Sequence, residues 1–142
     1  MPVASKTIVL EDNFDAVRNA VTGDQLMQIA KAGGFVVEAH AKINAGSGRP
    51  GLRMITGNLV NSISVSEGRK TETGADVDIG TNVVYARIHE LGGIIKGAFG
   101  IANMIVHMPA RPYLRPAMDE NEPDIIKAVM TELWRHLNKA TK

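Results

Sequence analysis

The sequence contains no cysteine among its 142 residues. Disulfide bonds and thiolate-bound metal sites are therefore excluded, and the composition suits a protein made in a reducing cytoplasm. No run of 18 apolar residues occurs, so we expect no membrane-spanning helix. The first fifteen residues include Glu11, Asp12 and Asp15 and lack a long apolar run, so we expect no signal peptide.

Aromatic residues and net charge are also scarce. One Trp, two Tyr and three Phe are present, so a core has to be built mainly from aliphatic residues and the seven Met. Sixteen basic residues oppose fifteen acidic ones, which gives a net charge of +1 and argues against strong non-specific binding to nucleic acid. The hydrophobic fraction of 44% is enough for a core, and the length predicts one domain spanning 1–142.

The first half of the chain predicts an arm, a helix and a loop. Residues 1–12 are expected to form an extended N-terminal arm, and apolar or small residues within 24–43 recur at the 3.6-residue period of a helix. The pair Gly33-Gly34 costs helix stability, so we expect a close helix contact or a kink there. Glycine and proline punctuate 44–56, which we predict to be a flexible loop.

The second half predicts a hairpin and two helices. Ile63–Val65 and Val77–Gly80 alternate as strands of an antiparallel hairpin joined by a polar turn, 67–74. A short helix is expected over 82–91, with one apolar face formed by Val84, Ile88 and Leu91.

Residues 93–110 are predicted to form a second flexible loop, although 94–108 is also compatible with a second hairpin. The last helix is expected after a cap at Asn121 or Asp119, with Pro123 in its first turn. Its apolar stripe is predicted to consist of Ile126, Val129, Met130, Leu133 and Leu137. The expected fold is α+β: a small antiparallel sheet packed against an N-terminal helix and a long C-terminal helix, with long loops.

Motifs of enzymes are incomplete. His89-Glu90 begins a zinc-binding helix motif, but the second histidine would stand at position 93, where the chain has Gly93. The glycine-rich loop 46–51 lacks the Lys and Ser or Thr of a phosphate-binding loop. No serine stands in a nucleophile elbow. We predict no catalytic, metal-binding or cofactor-binding residue, and no enzyme.

A small DNA-contacting module is the alternative from another class. It would use the basic residues in or beside predicted loops and prolines, which are Arg49, Arg53, Arg69, Lys70, Arg111 and Arg115. These residues lack the aromatic platforms or dense basic helix typical of such modules. A solvated surface, or ion pairs across a subunit contact, explains them equally well.

The proline-rich segment, defined as Met108–Met118, is unusual on physical grounds. Its prolines, Pro109, Pro112 and Pro116, lie within eight residues. Each proline fixes its own φ angle and favours extended geometry in the residue before it. We therefore predict a stiff extended strap that leads into the last helix, with two arginines and Tyr113 available for packing against another surface.

Four blocks in order resemble a family of phage proteins. The blocks are Thr56–Ile63 (TGNLVNSI), Val77–Thr81 (VDIGT), Tyr85–Gly92 (YARIHELG) and Pro109–Ala117 (PARPYLRPA). Together they resemble the small neck and tail-component proteins of long-tailed bacteriophages, also known as tail-completion or virion-morphogenesis proteins. The resemblance covers about 26–137.

This resemblance implies a structural virion protein in the head–tail connector or neck, or at the end of the tail. It implies a homo-oligomeric ring of six or twelve copies that contacts neighbouring neck, connector and tail-tube proteins, with genomic DNA passing through the lumen without sequence-specific binding. No membrane is involved, and synthesis is expected in the host bacterial cytoplasm. We predict subunit or ring-to-ring contacts by Tyr85, Glu90, Arg111, Tyr113 and Arg115. The loop 45–54 is expected to order on docking.

Overall fold

A computed structural model of the chain describes residues 21–48, 57–72 and 74–140. Its five α-helices are α1 (Asp24–Gly46), α2 (Asn58–Ser62), α3 (Ala86–Leu91), α4 (Leu114–Asp119) and α5 (Glu122–Ala140). Three antiparallel strand pairs accompany them: β1 (Ser64–Val65) with β4 (Ile79–Gly80), β2 (Arg69–Lys70) with β3 (Ala75–Asp76), and β5 (Gly93–Lys96) with β6 (Ile105–Met108). The α+β prediction is confirmed. The predicted arm at 1–12 lies outside the described residues.

Helix α1 is the centre of the fold because two glycines allow neighbours to approach it closely. A Cβ atom on Gly33 would lie 2.9 Å from the Val129 side chain of α5, and one on Gly34 would lie 2.9 Å from the Val65 side chain of β1. Both distances are too short for real side chains, so each glycine accommodates one packing partner. Of the two alternatives expected at this pair, a close helix contact or a kink, the structure shows the close contact. The C-terminal helix and the β1–β4 pair therefore pack on two different faces of α1.

The hydrophobic core lies against the C-terminal half of α1. Its most tightly enclosed large side chain is Ile63, which is 1% exposed, and burying such a side chain stabilises a fold by about 1.5–3 kcal/mol. Small residues on the facing elements let the backbones come close. The core residues are Val37, Ala41, Ala45, Leu59, Ile63, Ala86, Tyr113 and Ala117. This core joins α1 to both α3 and the proline-rich segment.

The loop predicted at 44–56 begins later than expected. Helix α1 continues to Gly46 because Ala45, 2% exposed, packs in the core. The hydroxyl of Ser47 then donates to the carbonyl oxygen of Asn44 at 2.9 Å and ends the helix. Residues 49–56 lie outside the described part of the chain.

The first hairpin is confirmed, and its turn is shorter than predicted. Pairs Ser64↔Gly80 and Val65↔Ile79 join β1 to β4, and the strands β2 and β3 extend the hairpin into the predicted turn 67–74. The turn itself is closed by the amide of Thr71, which donates to the carbonyl of Gly74 at 3.0 Å.

The segment 93–110 contains a second hairpin, which settles the alternative left open by its sequence. Pairing runs from Gly93↔Met108 to Lys96↔Ile105, so the prediction of a loop over this whole range is wrong for both strands. Glycine does not interrupt the strands but shapes their connection: Gly97, at φ 68°, begins it.

Two predicted apolar faces are only partly buried. Helix α3 begins at Ala86 instead of residue 82, and Val84, 97% exposed, lies before it on the surface. On α5 the residues that pack on α1 include Val129, whereas Met130 is 44% exposed and Trp134 is 58% exposed. One edge of the stripe predicted for this helix therefore packs on α1 through Val129, and the other edge is exposed at Ile126 and Met130. Across the described ranges, no helix has the length and apolar character needed to span a membrane.

Candidate contact site at the proline-rich segment

The end of helix α3 lies directly against the proline-rich segment. Gly92 ends the helix with φ 71° and ψ 179°, a conformation that is essentially restricted to glycine. A Cβ atom there would lie 2.8 Å from the amide nitrogen of Ala110 and 2.9 Å from the carbonyl oxygen of Met108. Only glycine therefore allows these two backbones to meet.

Glu90 holds the proline-rich segment in place through three backbone amides. Its Oε2 accepts hydrogen bonds from the amides of Tyr113 at 2.8 Å and Leu114 at 3.0 Å, and its Oε1 accepts one from Arg115 at 3.0 Å. These amides form the N-terminal end of α4, where no carbonyl within the helix can accept them. A carboxylate also interacts favourably with the positive end of the helix dipole. Glu90 thus caps the N-terminus of α4, although it lies at least 23 residues before the amides that it binds.

This cap corrects the predicted geometry of the strap. The extended part is short, because α4 begins at Leu114 and includes Pro116. Proline is compatible with this position, since the third amide of a helix needs no acceptor within it. Pro109 and Pro112 therefore stiffen a lead-in to a short helix, and Pro116 lies within that helix.

Tyr113 anchors the same segment in the core. Its side chain is 3% exposed, and its carbonyl oxygen accepts a hydrogen bond from Nδ2 of Asn44 at 3.1 Å. Burial, with a further contribution from the negative charge of Glu90, raises the pKa of the Tyr113 phenol. The segment is thus fixed to α1 at one point and to α3 at another.

A second set of contacts lies on the outer side of α3. The ring of Tyr85 meets the ring of His89 edge-on, with centroids 5.7 Å apart, and the amide of Arg111 donates to the carbonyl of His89 at 2.7 Å. Burial lowers the pKa of the His89 imidazole, and the nearby Arg111 charge lowers it further. Within the described residues, its Nδ1 is buried without a hydrogen-bond partner. Both effects on the pKa favour the neutral form of His89.

The structure brings together all five residues predicted as contacts, and it separates their side chains into two groups. Those of Glu90 and Tyr113 are engaged within the chain, as a cap and as a core residue. The side chains of Tyr85 and Arg115 are accessible, and Tyr85 is 45% exposed. The side chain of Arg111 is half-buried. That these residues contact a neighbouring subunit stays a prediction, with the accessible group as its better candidates.

The basic residues considered for DNA contact are partly neutralised by carboxylates. Arg69 lies 3.2 Å from Asp78, and Lys70 lies 2.8 Å from Asp24. Arg49 and Arg53 lie outside the described residues. The described part of the chain therefore adds no observation that favours the DNA-contacting alternative.

Comparison with known protein families gives one match. Residues 9–92, more than half of the chain, match the family described as "Bacteriophage HK97-gp10, putative tail-component". The chain belongs to this HK97-gp10-like family. No curated protein and no solved structure matches the chain.

The residues that suggested a phage family have structural roles in this HK97-gp10-like chain. In the first two blocks, Gly57 adopts the left-handed conformation before α2, and the hydroxyls of Ser62 and Thr81 are hydrogen-bonded at 2.5 Å. In the later blocks, Glu90 and Gly92 attach α3 to the proline-rich segment. The signature therefore describes how the fold is held together.

Two exposed apolar surfaces of this HK97-gp10-like chain were missed by sequence reasoning. The first, here called the apolar hairpin, spans Gly93–Met108 and exposes Ile94, Ile95, Phe99, Ile101 and Ile105. The second, here called the outer stripe, lies on α5 and consists of Ile126, Met130 and Trp134. The sequence did contain a signal for the hairpin. Strands with one buried face alternate apolar and polar residues, and the hairpin lacks this alternation.

Proposed function

We propose that this HK97-gp10-like protein is a structural component of a tailed phage particle that forms a ring in the head–tail connector or neck, or at the end of the tail. Its task would be tail completion, tail termination or head–tail joining. The observation that carries the proposal is the match of more than half of the chain to a family of phage tail components.

The surface of the monomer supports assembly as its role. Large contiguous apolar patches are uncommon on monomeric proteins and mark interaction sites. The apolar hairpin and the outer stripe lie on different elements. A closed ring needs this arrangement, because one face of each subunit meets a different face of its neighbour.

A structural role also fits the charge of the chain. With a net charge of +1, the subunit would not hold DNA strongly by phosphate contacts. A ring of such subunits would let genomic DNA pass through its lumen without sequence-specific binding. The protein would act without catalysis, cofactor or metal, and its partners would be copies of itself and the adjoining neck, connector and tail-tube proteins. Copy numbers of six or twelve suit such a ring.

The test combines the purified protein with phage particles that lack it. We expect concentration-dependent rings by sedimentation velocity and electron microscopy, and a ring of this protein at the head–tail junction or tail end in particle reconstructions. A nonsense mutation in its gene is expected to yield heads and tails that do not join, or tails of abnormal end structure. Infectious particles assembled normally without the protein would overturn the proposal, as would tight, salt-dependent DNA binding by monomers.

A further inference from the structure

The first hairpin consists of two strand pairs that are separated by a β-bulge. Pairing between β1 and β4 ends at Val65↔Ile79, and pairing between β2 and β3 begins at Arg69↔Asp76. Three residues on the first strand, 66–68, therefore lie opposite two on the second. A bulge bends the strand that carries it. It thus sets the direction of the β2–β3 pair, here called the hairpin tip, relative to the base formed by β1 and β4.

Ser66 and Gly68 give the bulge its geometry. Gly68 adopts φ 87°, a conformation that glycine reaches without steric cost. The hydroxyl oxygen of Ser66 accepts hydrogen bonds from the amides of Gly68 at 3.3 Å and Asp78 at 3.0 Å. A rotation of the tip at this point changes glycine torsions and side-chain hydrogen bonds and leaves both strand pairs intact. These are the properties of a hinge.

The base of the hairpin is firmly attached to α1. Glu38 of α1, whose side chain is 19% exposed, accepts a hydrogen bond from the amide of Val65 at 3.1 Å. The side chain of Val65 fills the space that Gly34 leaves on the helix. Ile63, directly before β1, is 1% exposed in the core. Movement of the base would therefore disrupt the core.

Two exposed ion pairs, here called the latch pairs, hold the bulge and the tip against the N-terminal half of α1. Lys31 lies 2.7 Å from Glu67, whose side chain is 99% exposed. Lys70 lies 2.8 Å from Asp24, and these side chains are 57% and 74% exposed. No strand residue of the tip is buried. Exposed ion pairs are individually weak, and salt screens them, so the tip is held much less firmly than the base.

Lys70 also lies at an unfavourable place. A Cβ atom on Gly23 would lie 3.2 Å from its Nζ, so the ammonium group is close to the N-terminal end of α1. The positive end of the helix dipole repels a cation there, and the carboxylate of Asp24 offsets this repulsion. The position of the tip therefore depends on a balance of charges.

We propose that the hairpin tip is a flap that opens and closes about the bulge, and that the two latch pairs hold it closed on α1. Opening uncovers Met27, whose Cγ lies 3.6 Å from the position of a Cβ atom on Gly68. The core lies against the C-terminal half of α1 and is not disturbed. The N-terminal half of α1 thus becomes accessible to another molecule while the fold stays intact. This device goes beyond the proposed ring and does not depend on it.

Distances between two spin labels provide the first test, because the chain contains no cysteine. Gln28→Cys on α1 and Glu72→Cys beside β2 place the labels at exposed positions, and dilution with unlabelled chain removes distances between copies. At low salt we expect one short, narrow distance. At about 1 M salt, where charges interact over only about 3 Å, a second, longer distance should appear. An unchanged distribution, or a long distance already at low salt, would overturn the proposal.

Neutral substitutions at matched ion pairs provide the second test. Lys70→Gln removes one latch pair and should lower the ratio of closed to open molecules about twofold to fivefold at low salt. Arg135→Gln removes an exposed ion pair with Glu132 on α5 and should leave this ratio unchanged. If both variants opened the flap equally, a general effect of charge would explain the result and the latch would be refuted.

Exchange of the two charges in the other latch pair provides the third test. Lys31→Glu places a second carboxylate beside Glu67 and should open the flap, and the added substitution Glu67→Lys should close it again. A double variant that stays as open as the single one would contradict a latch formed by these two side chains. Circular dichroism of each variant checks that the helices are retained.

Hydrogen exchange at the base locates the hinge. The amide of Val65, bound by Glu38, should exchange at the same rate in low and high salt. Salt-dependent exchange at Val65 would mean that the whole hairpin leaves α1, and the hinge at the bulge would be wrong. All of these measurements are made on single copies, so failure of the flap leaves the proposed ring standing, and absence of a ring leaves the flap standing.

Discussion

The junction between α3 and the proline-rich segment contrasts with the apolar hairpin that connects the two in sequence. At the junction, both carboxylate oxygens of Glu90 accept hydrogen bonds from backbone amides, and Tyr113 is 3% exposed. In the hairpin, Phe99 is 87% exposed and strained. The first region satisfies its polar groups and buries its apolar ones within the chain. The second leaves its apolar residues exposed in the described structure.

The comparison teaches that the recognisable motif and the candidate interface are different parts of the molecule. The blocks that suggested a phage family contain the cap, the close glycine contact and the core tyrosine. The hairpin lies between two of these blocks and carries none of them. A member of the family could therefore keep its fold while its hairpin is adapted to a particular neighbour.

Matched glycine substitutions are expected to separate the two regions clearly. Gly92→Ala places a Cβ atom 2.8 Å from the Ala110 amide nitrogen and forces alanine into a glycine-only conformation. We expect a loss of about 3 kcal/mol or more in the free energy of unfolding. Gly97→Ala, at φ 68° with open space around it, should lose only about 1 kcal/mol.

Urea unfolding followed by circular dichroism measures both variants. Equal losses would contradict the contrast between a packed junction and a free hairpin. If Gly92→Ala does not fold, the comparison still stands, provided that Gly97→Ala folds with near wild-type stability.

Removal of the helix cap is expected to have the next largest effect. Glu90→Ala leaves the amides of Tyr113, Leu114 and Arg115 without their acceptor, which should lower the free energy of unfolding by about 2 kcal/mol. Hydrogen exchange of these three amides should accelerate more than that of α5. Glu72→Ala, at an exposed glutamate near β2, is the control. Unchanged exchange at residues 113–115 would show that the carboxylate does not hold the segment.

The local elements were predictable from sequence, but of the long-range contacts only the close approach at Gly33-Gly34 was expected. The period of α1 and the alternation of β1 and β4 are local patterns, so both were found. The contact between Glu90 and residue 113 joins positions 23 apart, and no local pattern encodes it. Helix α4 was missed because proline was taken to favour extended structure, whereas capping from α3 stabilises a helix around Pro116.

The exposed surfaces could not be predicted for a different reason. Apolar residues at helical spacing indicate that a face is buried, but not whether its partner belongs to the same chain. On α5 the predicted stripe therefore included Met130, which is 44% exposed, together with Val129, which packs on α1. For the same reason, the exposure of the hairpin was not predicted, because its isoleucines are equally compatible with a core strand and with an interface.

The pH dependence of the free energy of unfolding should show a smaller contribution from the junction, through His89. Burial and Arg111 lower the pKa of His89 from 6.5, so below pH 6.5 the unfolded chain takes up a proton at this residue before the folded chain does. Stability contributed by neutral His89 is therefore complete above pH 6.5 and falls as the pH decreases. His89→Gln should reduce this slope, and Arg111→Gln should reduce it partly. Equal slopes in chemical unfolding across the three proteins would contradict the assignment.

Phe99→Gly is expected to have the smallest effect on the monomer. Glycine relieves the left-handed strain, worth about 1 kcal/mol, but it adds flexibility to the unfolded chain, which costs about as much. The free energy of unfolding, measured in dilute solution where the protein is monomeric, should stay within about 0.5 kcal/mol of wild type. Tyr113→Ala is the matched aromatic truncation at the junction and should lose about 3–5 kcal/mol, as buried aromatic residues do. A large loss from Phe99→Gly would mean that the hairpin supports the monomer's own fold, and the contrast between the two regions would fail.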